Sequence, residues 1–146
     1  MFSLRGELDG NLYAARKVPE MHAGQGSFDF ARTGPRHTRF YMTDKILVLT
    51  TAGSKDEARK IGRALMDRLL AACVNIVPQV TSIYRWEGEI EEAEEWLLMV
   101  KTTRAAFERV REAILELHSY DLPECIAVSI DDGSVGYLSW IGQSVQ

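Results

Sequence analysis

Six side chains in the second half of the chain have the chemistry of a small-molecule site: Tyr84, Trp86, Lys101, His118, Tyr120 and Glu124. Aromatic walls with one cation, one carboxylate and one imidazole can hold and orient a small anion or metabolite, but they supply no activated nucleophile. The same aromatic residues suit the packing of a subunit interface equally well. Hydrolase, NTPase, zinc-protease and dinucleotide chemistry lack their groups, because the sequence has no GxSxG elbow, Walker loop, HExxH or GxGxxG. A non-enzymatic protein is expected.

Two further groups of reactive residues carry little on their own. Glu87, Glu89, Glu91, Glu92, Glu94 and Glu95 crowd one short stretch. That density can attract hard cations weakly, but a solvated strand edge that resists edge-to-edge pairing explains it more simply. Cys73 and Cys125 have no CxxC partner, and in a cytosolic chain they are expected to be reduced.

The elements that would position these residues follow from periodicity. Ile46 to Thr51 is a short β-branched run, read as a strand. Ser54 and Glu57 have capping-box spacing ahead of Ala58, Ile61, Leu65 and Leu69, which recur at helical intervals. From Cys73 to Thr103 the sequence is one long hairpin signal turning at Trp86-Glu87-Gly88-Glu89, and Trp96 to Val100 is apolar without alternation, as in a strand covered on both faces. Thr103 can cap a second helix with the stripe Phe107, Val110, Ile114 and Leu117. Strand four is expected over Ile126 to Ile130, and Ser134 can cap a short terminal helix bearing Tyr137, Leu138, Trp140 and Ile141.

The order is βαββαβ plus a helix, the ferredoxin-like split βαβ pattern of an α+β fold. Strands two and four are then opposite edges of the sheet, about three spacings of ~4.8 Å apart, which excludes a bridge between Cys73 and Cys125 within one chain. Two helices cover one side of the sheet. Burying about 800 Å² per subunit on the other side would yield ~20 kcal/mol gross, most of it offset by association and ordering costs, so self-association is expected.

Composition sets the broad class. With 146 residues, 46% of them apolar and 26% charged, the chain from Met42 to Gln146 fits one globular domain. Residues 1–41 contain five of the eleven glycines and show no sustained period, and are expected to be a disordered or artefactual extension. No run approaches a membrane span and no secretory signal is evident, so the cytoplasm is the expected compartment. The formal charge is −4, and the part beyond residue 41 is acidic, with seventeen Asp/Glu against eleven Lys/Arg, which speaks against nucleic acid as a partner.

The segments AACVNIVPQVTSIYRWEGEIEE, LLMVKTT, HSYDLPE and GYLSWI, in this order and spacing, resemble the divalent-cation tolerance protein (CutA) family over Lys45 to Ile141. The resemblance implies a ferredoxin-like subunit in a tight homotrimer with interlocking hairpins, similar in architecture to the nitrogen-regulatory PII proteins. In such a trimer the six residues named first could meet at a cleft between subunits. It also implies tolerance of divalent metal ions, chiefly copper. Thiolate and imidazole suit copper, and on the matching segments those donors are Cys73 and His118. Where some members have a cysteine in the first strand, this chain has Thr50, which removes a donor. Cys73 can equally be a small buried hydrophobe at a strand start, and His118 a helix-ending residue favoured by the macrodipole. The alternative function is a PII-like sensor that binds a metabolite at subunit clefts and signals to a protein partner.

Overall fold

A computed structural model describes residues 43–146; the extension expected over residues 1–41 and the start at Met42 lie outside the described residues. The first strand, β1 (Lys45–Ala52), alternates strictly, with Ile46, Val48, Thr50 and Ala52 fully buried and the residues between them half-buried. Helix α1 (Lys55–Asp67) lays Ala58, Ile61 and Leu65 on the buried side of that strand. The Ser54 hydroxyl accepts the Glu57 N–H at 3.2 Å, which is half of the expected capping box. Leu69 does not continue the apolar stripe. It takes φ 55° just past the helix, where Leu70 N–H donates to the Leu65 carbonyl and Leu69 N–H to that of Met66, a Schellman ending.

Strands β2 (Cys73–Trp86) and β3 (Glu89–Thr103) form the long hairpin. Glu87 at φ 47° and Gly88 at φ 89° make its two-residue turn, a left-handed pair that twists the chain the same way as the strands. A single 3₁₀ turn at Arg104–Ala106 precedes α2 (Phe107–Leu117), and Thr103 stands before that turn with no side-chain capping bond. Then come β4 (Ile126–Ser129) and α3 (Val135–Ser144), where Ser134 likewise makes no side-chain cap.

All neighbours in the sheet are antiparallel in the order β2-β3-β1-β4, so β2 and β4 are the edges and Cys73 and Cys125 are both free. Helices α1 and α2 enclose Val48, Leu98, Val100, Val110 and Ile114 on one face. On the other face Leu47, Leu49, Leu97 and Met99 are only half-buried, and β4 exposes Ile126 and Val128. Helix α3 contacts β1 and β3 but fully buries only Ile141, and Val135, Tyr137 and Trp140 stay exposed.

β1 ends at Ala52 opposite Trp96, so the hairpin from Val80 to Glu95 runs on as a two-stranded arm. At its root Pro78 and Gln79 face the single residue Trp96. This bulge, with Gln79 at φ 56°, resets which side chains share a face.

Candidate functional site

His118 closes α2, and its side chain is fully buried. The Tyr120 backbone N–H donates to Nδ1 at 3.0 Å, so that nitrogen carries no proton; Nε2 is therefore the N–H, and it donates to the Thr51 carbonyl at 2.7 Å. Both ring nitrogens are thus engaged by the chain itself. The Glu57 carboxylate lies 3.6 Å from Nδ1, accepts the Ser119 N–H at 2.5 Å and, through its other oxygen, the Gly53 N–H at 3.3 Å. Helix α1 and the loop after α2 are tied together by this one side chain. Tyr120 stacks at a tilt on His118, with ring centroids 4.7 Å apart, and donates its hydroxyl to Glu95 Oε1 at 2.9 Å.

Glu95 corrects the reading of the acidic run. Glu87, Glu89, Glu91, Glu92 and Glu94 are exposed as expected, but Glu95 is only 1% exposed, held at the root of the arm by Tyr120. Burying a carboxyl group requires such a partner. A groove of about 680 Å³ opens beside this cluster, lined by Asp56, Glu57 and Glu116 against the single cation Lys60. Glu116 is itself paired with Arg68. That acidic lining does not suit the small anion expected for His118 and Tyr120.

The other expected site residues lie elsewhere. Tyr84 and Trp86 stand far out on the arm opposite Glu91 and Glu89. Lys101 is opposite Cys73 at the far end of β3, its Nζ 3.8 Å from the Cys73 sulfur. Glu124 is half-buried in the loop before β4. One chain therefore gathers two of the six, His118 and Tyr120, and adds Glu57, Glu95 and the Thr51 carbonyl.

Among the described residues of one chain, Cys73 and His118 do not come together as a shared copper site. Thr51, which holds His118, pairs with Leu97, and Cys73 pairs with Lys101, four residues further along β3. That spacing corresponds to about 14 Å along the strand, beyond the reach of a shared ion. Among the described residues no three His, Cys, Asp or Glu side chains are grouped as metal ligands. Burial pushes the Cys125 thiol above its ordinary value, which disfavours the thiolate a metal requires. The Thr50 hydroxyl is buried with no hydrogen-bond partner among the described residues.

Residues 46–144 match the sequence profile of the family described as CutA1 divalent ion tolerance protein. The divalent-cation tolerance protein CutA of Thermus thermophilus is 49% identical over 98 residues, covering 67% of this chain and 95% of that one. A CutA homolog of Danio rerio is 44% identical over 99 residues, covering 68% of this chain and 66% of that longer one. The solved structure of the Thermus thermophilus protein superposes with a TM-score of 0.69 at 47% identity, covering 70% of this chain and 99% of that one. The four-stranded sheet, the long hairpin and the matched segment together show that this chain belongs to the CutA1 divalent ion tolerance protein family.

Proposed function

We propose that the chain acts as a non-enzymatic homotrimer with a PII-like arrangement, and that its part in divalent-cation tolerance, copper foremost, is exercised by the assembled trimer. The observation that carries this reading is the arm. Ile83 and Ile90 are 67% and 68% exposed on a two-stranded ribbon that pairs with no third strand among the described residues. A two-stranded ribbon is marginal in water, so other copies must cover it. The half-buried Leu47, Leu49, Leu97 and Met99 continue the same uncovered surface.

Copper is then held between copies. Cys73, half-buried and paired with Lys101 on the face that also carries Met99 and Leu97, is the soft donor that such an assembly can share. His118 serves instead as a positioning residue for the loop around Tyr120. The two free cysteines and the lack of a long apolar helix among the described residues are compatible with a cytoplasmic setting. Calorimetric titration with copper tests the metal assignment. Binding should disappear in Cys73→Ser and persist in His118→Gln; loss confined to the His118 variant, or no heat from the parent protein, would contradict it.

A further inference from the structure

Where β2 begins and β3 ends, two reactive side chains face each other across the strands. Cys73 and Lys101 are partners in the antiparallel register, both are half-buried, and the Lys101 ammonium donates to the Cys73 sulfur at 3.8 Å. The ladder fixes this placement, because the Ala72 N–H donates to the Lys101 carbonyl at 2.9 Å. Directly opposed residues of an antiparallel pair are only ~5 Å apart at Cβ, so a flexible lysine stem can bring its amine onto the neighbouring sulfur.

Among the described residues Lys101 forms no ion pair with a carboxylate, and the Cys73 sulfur is the one partner of its amine. A half-buried ammonium without an acid is left facing a thiol. Cys125 supplies the contrast within the same chain: it is also half-buried, but its charged neighbours are the Arg111 guanidinium and the carboxylates of Glu108 and Glu124. A guanidinium stays protonated, whereas a lysine amine becomes a nucleophile once it loses a proton. Of the two thiols, Cys73 is therefore the one with a nitrogen nucleophile at hand.

We propose that Cys73 and Lys101 form a redox switch, in which hydrogen peroxide joins them by a reversible sulfur–nitrogen bond. The thiolate is the reacting form of a cysteine. It attacks one peroxide oxygen, so that an S–O bond forms and the O–O bond breaks, and the departing hydroxide takes a proton from the Lys101 ammonium to give water. A sulfenic acid now stands beside a neutral amine, the pair of groups that condenses to a sulfenamide. The amine lone pair attacks sulfur, the S–O bond breaks, and the leaving hydroxide takes one amine proton as a second water. The sulfur loses two electrons to one peroxide, and two equivalents of an external thiol return them as a disulfide. The consequence rests on the copper reading above: the bridged sulfur no longer offers a thiolate, so oxidation withdraws the metal donor.

Peptide mapping by mass spectrometry of the full chain, treated with hydrogen peroxide and digested with trypsin, tests the assignment. The peptide that holds Cys73 should be found joined to the one that holds Lys101, two hydrogens lighter than their sum, and dithiothreitol should release both unchanged. Lys101→Arg should lower the joined product about tenfold or more and let Cys73 proceed to sulfinic acid, because a guanidinium cannot make the attack. Sulfinic acid at Cys73 of the parent with no joined peptide would overturn the proposal. So would a joined product as abundant in Lys101→Arg as in the parent. Copper titration of the joined chain, with peroxide removed, should show no binding until dithiothreitol has been added and removed in turn; copper binding undiminished in the joined chain would overturn the switch. A parent silent to copper but joined by peroxide would contradict the copper reading and uphold the bridge.

Discussion

The body of the molecule and its hairpin arm are built from the same two strands and yet are held together in opposite ways. In the body, Leu98 and Val100 are wholly enclosed by β1, α1 and α2, whereas on the arm Ile83 and Ile90 stand about two-thirds exposed. Where β3 has a strand on each side and helices above, one chain supplies its own core; where it has only β2, no described residue covers Ile83 and Ile90. The body specifies a fold, and the arm carries the assembly proposed above.

The largest effect separates these regions directly. Leu98→Ala should lower unfolding stability by about 2–5 kcal/mol through lost burial and the cavity left behind, measured by chemical denaturation. The paired change Ile83→Ser and Ile90→Ser should cost a lone chain little, within ~0.5 kcal/mol per site, yet lower the assembly's mass in sedimentation. Arm substitutions that destabilise a monomer as much as Leu98→Ala would erase the distinction.

Where the arm meets the body, Tyr120→Phe removes the hydroxyl that Glu95 accepts and should cost about 1–3 kcal/mol by the same denaturation assay. Thr50→Val tests the opposite sign inside the body. Replacing a buried hydroxyl that has no partner with a methyl of the same shape should raise stability by about 1 kcal/mol.

The fold was legible in the sequence because each element carried its own local signal. The short apolar, β-branched run from Ile46 to Thr51, the Ser54 cap, the Glu87-Gly88 turn and the stripe of α2 are all short-range features, and the strand order followed from them. The site was less legible because its contacts are long-range. Glu95 sits among five exposed glutamates, and nothing local distinguishes it; its burial depends on Tyr120, twenty-five residues away in sequence. Its place in register with the apolar Leu97 and Met99 was the available signal. Glu57 has the spacing of a helix cap, but its carboxylate reaches across to Ser119. The bulge at Pro78 and Gln79 separates Tyr84 and Trp86 from the face pattern set by Cys73 to Val77, which spacing alone does not reveal.

The smallest effect concerns pH. The Arg68 guanidinium beside Glu116 holds that carboxyl below its ordinary value of 4.5. A lowered folded value gives stability that is present above the unfolded value and lost as pH falls through the folded one. Glu116→Gln should therefore be slightly less stable than the parent at neutral pH and converge with it in acid. Both side chains are largely exposed, so the difference should be the least of these five.

The central claim, that the arm exists to be covered by other copies, is tested most directly by sedimentation equilibrium of the full chain at micromolar concentration. A particle of three times the 16.5 kDa chain mass is predicted. A stable species at 16.5 kDa, with the arm still folded, would contradict the account.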